Sequence, residues 1–405
     1  MTSDTSTREN PKHDPGLLAW RKEFPILETT TYMNSNSLGA MPRGVRDEMN
    51  DYCDLWAKRG VRAWHDRWID LVDEVADIYA DVFGASHGSV SMHQNVAITE
   101  WILLSAFDFS GPRNKVVYTD MNFPSVMYIY EEYRRHGAVL DVIKSDDGLT
   151  VDLDKILDAI DEKTLLVPVS LVLFRSAYIQ DAKAIIEKAH AVGAKVILDV
   201  YQGAGTVPID LTALNVDFAV GGSVKFVCGG PGAGYLYVRP DLADSLEPTC
   251  TGWFAHQRPF EFETGKIKWA DARHRFNNGT PHIPAIYSAK TGISLLKEIG
   301  VNRIRQNSLA LTDRLIARGK KYGFDLTVPI LHAHRGGTVA FDVPHAKKVT
   351  AELLERDIIV DWRPNCGIRV SPHYYTTPEE CDFAVDQIKE ILDSGAFKKH
   401  GDDLY

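Results

Sequence analysis

Cysteine is scarce in this sequence, and its few copies are scattered. The five at 53, 228, 250, 366 and 381 form no CxxC pair and no disulfide framework, which excludes a zinc ribbon or a stapled secreted domain and fits a reducing, cytoplasmic setting. No stretch approaches the ~18 consecutive apolar residues of a membrane-spanning helix. The opening MTSDTSTRENPKHDPG contains acids and no apolar signal-peptide core, so a frayed arm without export is expected. Clustered basic charge is missing as well. Lysine and arginine number 45 against 55 acidic residues, a net charge of −10, which argues against nucleic acid or an anionic membrane and leaves small molecules as partners. The 14 histidines include no HExxH and no serine sits in a nucleophile elbow, so neither metal-assisted nor Ser-His-Asp hydrolysis finds a motif, and no metal is expected. Internal repeats, low-complexity tracts and a Gly/Pro-rich linker are likewise absent.

What is present suits a globular enzyme. At 405 residues, 44% hydrophobic and 25% charged, the chain can form one large domain and a smaller one. Apolar runs at 115–118, 138–144, 165–172 and 196–198 alternate with helical periodicities at 124–135, 151–160 and 182–193. That alternation predicts an α/β fold, with a mostly parallel sheet covered by helices on both faces. Helices at 42–57 and 71–83 precede it, and Trp56, Trp64 and Trp68 would share one helical face if that stretch were continuous. After 283 come helices at 284–298 and 301–322, a strand at 338–343, a helix at 346–356, strands at 358–362 and 367–371, and a final helix from Pro378. The division expected is an arm and helical segment over 1–69, a large domain over 70–283 and a small α+β domain over 284–405.

The most informative stretch is 195–234, KVILDVYQGAGTVPIDLTALNVDFAVGGSVKFVCGGPGAG. Val196-Ile197-Leu198 reads as a buried strand that ends in Asp199, and the run Val216 to Val220 delivers Ser223 and Lys225. Ligands of open α/β sheets bind beyond the carboxyl ends of the strands, so the two charges can face one pocket. Such a pair suits pyridoxal phosphate: the amine condenses with the aldehyde, and the aspartate keeps the pyridine nitrogen protonated. Residue chemistry alone leaves the plainer reading open, in which Asp199 caps a turn and Lys225 is a solvated charge. The run Gly229 to Gly234 is no dinucleotide loop, because Tyr235-Leu236-Tyr237-Val238 after it reads as a strand where a helix would be needed. Upstream, Gln94-Asn95-Val96 opens a helix, and its free N–H groups can hold the cofactor phosphate.

Asp199-x-x-Gln202, Ser223-Val224-Lys225-Phe226 and the Gly-Pro-Gly run resemble the class V aminotransferase group of fold-type I pyridoxal phosphate enzymes, and within it the kynureninases. Asn36-Ser37-Leu38-Gly39 and most of 251–281 are similar to kynureninase segments. The resemblance implies a seven-stranded-type sheet, Lys225 as the Schiff-base lysine, Asp199 at the pyridine nitrogen with Gln202 beside the cofactor, and Ser223 near the phosphate. It implies Phe123 on the pyridine face, Trp253 flanking cofactor or substrate, and Asn36 and Ser37 near the substrate. Arg369 would take the substrate α-carboxylate, with Arg363 as second claimant, because a guanidinium matches a carboxylate through two parallel hydrogen bonds. Asn278 and Thr280 would enter the neighbouring subunit's pocket, which makes a homodimer with interfacial sites the expected assembly.

Four positions depart from the kynureninase pattern: Val224 replaces a tyrosine, Val126 an aspartate, Leu173 an asparagine, and Gln202 a histidine, as in desulfurases and aminotransferases of the class. Valine neither donates nor accepts a proton. The activity expected is kynureninase-like cleavage of the Cβ–Cγ bond of a γ-keto amino acid, with transamination or Cβ–heteroatom lysis as alternatives and a cofactor-binding protein without turnover as a third reading. Cys366 stands where desulfurases of the group carry a nucleophile on a C-terminal loop, although cysteines are more often buried and inert.

Overall fold

The computed structural model describes residues 11–401. Seven strands form one sheet in the spatial order Val90–His93, Gly234–Val238, Phe218–Gly222, Lys195–Asp199, Thr164–Ser170, Lys115–Thr119, Val139–Ile143. The last five in that order run parallel, and Gly234–Val238 is antiparallel to both of its neighbours. The expected mostly parallel seven-stranded α/β sheet is therefore present. Helices Val96–Leu104, Pro124–Tyr133, Leu153–Ala159 and Ala182–Ala191 connect the strands, as parallel crossovers require.

Strand alternation divides the core into two layers. Phe218 and Val220 point to one face, where they join Ile197 and the inward side of helix Val96–Leu104. Ala219 points to the other face with Val196, Leu198, Tyr79 and Tyr235. Val196 and Leu198 are wholly buried, and each such side chain contributes about 1.5–3 kcal/mol relative to exposure. The strand expected from Val216 begins instead at Phe218 and continues through Gly221 and Gly222, because both glycines pair with Tyr235 and Gly234 on the antiparallel neighbour. Glycine at these two positions admits tyrosines: a β-carbon on Gly221 would lie 2.1 Å from the Tyr235 hydroxyl, and one on Gly222 would lie 2.5 Å from that of Tyr201.

A second, antiparallel sheet is built from Asp325–Leu326, Val339–Asp342, Gly367–Val370 and Asp361–Arg363, with helices Val301–Lys321, Ala346–Glu355 and Pro378–Ser394 near it. The N-terminal segment is not separate from it. Thr31–Tyr32 pairs in parallel with Ile358–Ile359, Asn34 bridges Ser371, and Met33 is buried in the same core.

Two expectations need correction. Residues 1–10 of the proposed arm lie outside the described residues, but its end is tied down: His13 and Asp14 hydrogen-bond Asn307, and Asp14 pairs with Arg303. The tryptophans do not share one continuous helical face. Helix Gly44–Arg59 stops at Gly60, whose φ of 55° leaves the helical region, so Trp56 is exposed, whereas Trp68 is buried and meets Trp64 edge to face at 5.1 Å.

Candidate active site

The parallel strands deliver their last residues to one mouth of the sheet, and a cavity of about 300 Å³ opens there, at the lower end of small-molecule sites. Asp199 and Lys225 both line it, together with Asn95, Val96, Phe123, Val126, Tyr201, Gln202 and Val224. The two charges that the sequence places on separate strands are thus brought together.

Lys225 lies in the bend after strand Phe218–Gly222. Its Nζ sits 4.4 Å from the centre of the Tyr201 ring and 5.4 Å from that of Phe123. Burial among these rings pushes its pKa down to about 8, Asp199 acts in the opposite direction, and Arg369 and Arg363 push it further down. Asp199 is partly buried at the cavity wall, and burial raises its pKa, against a Tyr201 N–H at 2.8 Å and the charge of Lys225. A cation beside Asp199 would restore its ionised form. A protonated pyridine nitrogen is such a cation, the amine is matched to an aldehyde, and the apolar walls are matched to an aromatic ring.

An anion has a place as well. Asn95 caps helix Val96–Leu104 by accepting the Ile98 N–H at 3.0 Å, while the amides of Val96 and Ala97 belong to the unsatisfied first turn at the cavity. Gly234 lets this turn approach, since a β-carbon there would lie 3.0 Å from the Asn95 backbone. Gln94 does not line the cavity, and its Oε1 is buried with no hydrogen-bond partner.

The loop at Asn36 does reach the site. Gly39 N–H donates to the Val224 carbonyl at 2.8 Å, and Gln202 Nε2 donates to the Asn36 carbonyl at 3.1 Å. A side chain at 39 is excluded, because its β-carbon would fall 2.2 Å from the Lys225 carbonyl oxygen. The Asn36 amide lies between Arg369 and Ser371, and Ser37 Oγ is 3.5 Å from Arg363.

The remaining candidates from the sequence are held as follows. Ser223 is turned away from the cavity: its hydroxyl donates to the Gly230 carbonyl at 2.6 Å and holds the Gly-Pro-Gly loop. Arg369 does not present an open fork, since Nε and Nη2 close on both oxygens of Asp361 and Nη1 donates to the Phe174 carbonyl. Arg363 shares Asp361 at 3.0 Å and is much the more exposed of the two. Trp253 packs against Phe254, Phe260 and Phe262, and neither it nor Asn278 nor Thr280 lines the cavity of its own chain. Leu173 is a core residue, and Phe174 after it reaches the cavity. Cys366 is buried, its thiol donates to the Arg175 carbonyl at 3.1 Å, and burial pushes its pKa up to about 11.

Tyr201 and Glu100 escaped sequence reasoning, as did Phe174 and Asp361. Tyr201 follows Ile197 and Asp199 at the two-residue spacing of one strand face, a signal that could have placed it in the pocket. Glu100 gave no signal. It is buried on helix Val96–Leu104, its Oε2 has no hydrogen-bond partner, and burial together with nearby Asp199 pushes its pKa up to about 8.

Known proteins are similar over most of this chain. The family described as aminotransferase class V matches residues 31–383. YcbU of Bacillus subtilis, named as an uncharacterized aminotransferase, is 32% identical over 372 residues, covering 91% of this chain and 96% of the relative. A kynureninase of Pseudomonas fluorescens is 30% identical over 394 residues, with 93% and 92% covered. The cysteine desulfurase of Thermococcus onnurineus NA1 shares the fold, with a TM-score of 0.83 at 23% identity over 95% of this chain and all of that one. The match over most of the chain, and the meeting of Asp199 and Lys225 in one cavity, lead to one conclusion: the chain belongs to the class V aminotransferase family, whose enzymes depend on pyridoxal phosphate.

Proposed function

We propose that this chain acts on an α-amino acid by moving the proton at Cα with Lys225 alone, the minimum machinery of transamination. The observation that carries the reading is the composition of the cavity around that amine. Val224 precedes Lys225, and Val126 and Val172 stand in the same wall, so none of these three positions supplies a proton donor for cleavage beyond Cβ. Pyridoxal phosphate, when bound, supplies an aldehyde for the amino group and an electron-poor ring that accepts the electrons of a bond broken at Cα. Asp199 would hold the pyridine nitrogen, the Val96 and Ala97 amides the phosphate, and Phe123 one face of the ring. With a pKa near 8, Lys225 can take up and return a proton close to neutral pH. Arg363, with Arg369 behind it, would hold the α-carboxylate. Phe174 and Val172 favour a substrate with an apolar side chain.

Kynureninase-type cleavage of a γ-keto amino acid is the second reading, supported by the kinship to the Pseudomonas fluorescens kynureninase over nearly the whole chain. Desulfuration through Cys366 has less support, because the thiol is enclosed and protonated. Exposed aromatic side chains at Trp253, Phe260 and Phe262 support a second copy packing near Asn278 and Thr280, which sedimentation would test.

Incubation of the purified protein with a panel of amino acids that includes kynurenine decides between the readings. A keto acid formed from the substrate together with the aminated, pyridoxamine form of the cofactor supports transamination. Alanine together with an aromatic acid from kynurenine would replace that reading with C–C hydrolysis.

A further inference from the structure

The hydroxyl expected at the phosphate is missing, because Ser223 spends it on the Gly230 carbonyl. A different hydroxyl has taken up a position nearby. Ile197, Asp199 and Tyr201 alternate onto the sheet face covered by helix Val96–Leu104, and Tyr201 packs against the core on that face. Its phenol reaches the end of the next strand, where only the missing side chain of Gly222 gives it room, at 2.5 Å from the position of a β-carbon. Gly222 pairs with Gly234, and Gly234 in turn abuts the Asn95 backbone at the start of the helix. The phenol therefore stands one strand away from the turn that offers the Val96 and Ala97 amides, and all three residues line the same cavity.

Resting on the pyridoxal phosphate reading of that cavity, we propose that the Tyr201 hydroxyl donates a hydrogen bond to the cofactor phosphate, completing with the Val96 and Ala97 amides a cradle that Gly222 leaves open. Burial, with a smaller push from Asp199, raises the Tyr201 pKa to about 12, so the group remains a donor throughout the neutral range.

The test compares two ligands that differ only in the phosphate. Cofactor-free wild type and Tyr201→Phe are titrated with pyridoxal phosphate and with pyridoxal, following the visible absorbance of the bound aldehyde. A hydrogen bond to a charged group predicts that Tyr201→Phe weakens pyridoxal phosphate binding by about tenfold or more and leaves pyridoxal binding unchanged within about twofold. Equal weakening for both ligands would assign Tyr201 a ring-stacking role and overturn the proposal, as would no weakening for either. Phosphorus NMR of the bound cofactor gives a second readout, in which the resonance moves in the variant if the donor is lost and stays in place if the phenol never touched the phosphate. A wild type that binds neither aldehyde would remove the cofactor reading itself, and the Tyr201 role with it.

Discussion

Tyr201 and Gly222 occupy one space between them: the phenol oxygen lies 2.5 Å from where a β-carbon on Gly222 would be. Gly222 has no left-handed backbone that would require glycine on its own account, so the constraint is steric. Gly222→Ala is expected to cost about 1–3 kcal/mol through overpacking, and most of that cost should vanish in a Tyr201→Ala background. Urea unfolding of the cofactor-free single and double variants measures the coupling. Simple additivity would show that the two residues do not compete.

Lys225 predicts a pH dependence with a definite sign. Its pKa is about 8 in the folded chain against 10.5 ordinarily, so the folded state loses the proton first. Between these two values the unfolded chain binds more protons, and stability should rise with pH by an amount of the order of 3 kcal/mol, a gain lost again as pH falls through about 8. Lys225→Met removes the titration, so the stability difference between it and wild type should change across that window and be flat below it. Aldehyde capture by the cofactor-free wild type should quicken about tenfold per pH unit up to the same point and then level off.

Asp361 neutralises a pair of arginines beside that amine. Arg369 is bound through both of the carboxylate's oxygens, and Arg363 lies 3.0 Å from one of them. Asp361→Asn leaves two guanidinium charges without a counterion, one of them buried. A loss of about 3 kcal/mol in unfolding free energy is expected, as for breaking other buried pairs. Because Asp361 holds the Lys225 pKa up and the arginines hold it down, the level point for aldehyde capture should also move to lower pH. A variant that destabilises without moving that point would place the arginines too far away to act on Lys225.

Legibility from the sequence followed the reach of the forces involved. The α/β fold was readable because alternating apolar runs and amphipathic segments are local patterns, and the strand from Lys195 to Asp199 needed only its own residues. Asp199 and Lys225 were readable because strand ends in a parallel sheet point to one mouth. What the sequence concealed was pairing across distance. Ser223 looked available until the Gly230 carbonyl was found to hold it, and Arg369 looked open until Asp361, eight residues earlier, was found in its fork. Thr31–Tyr32 carried no sign of pairing with Ile358–Ile359, since a two-residue strand has no period to detect.

Cys366 should be dispensable. Its thiol is enclosed and its pKa is pushed up to about 11, which leaves almost no thiolate at neutral pH. Cys366→Ala is expected to keep turnover within about twofold, given the base rate for buried cysteines. A thiol reagent added to the native protein should react first with Cys53, the exposed cysteine. Loss of most activity in the alanine variant, together with fast labelling at Cys366, would return the desulfurase chemistry to consideration.

Glu100 tests whether the buried carboxylates behind the cavity weaken the fold. Burial first, and Asp199 second, push its pKa up to about 8 from an ordinary 4.5, with the Tyr130 hydroxyl pulling the other way. Folding therefore requires Glu100 to hold its proton where the unfolded chain would release it, and the stability available below pH 4.5 drains away as pH rises towards 8. A shift of that size corresponds to an amount of the order of 5 kcal/mol. Glu100→Gln keeps the shape and cannot ionise, so in the cofactor-free protein it should unfold at higher urea than wild type at pH 8 and at nearly the same urea at pH 4.5. The cofactor adds a discriminating arm. A pyridinium at Asp199 cancels part of the negative charge that Glu100 faces, so cofactor binding should narrow the gap between variant and wild type at pH 8. A gap that does not depend on pH would mean that Glu100 acts through packing and not through its charge.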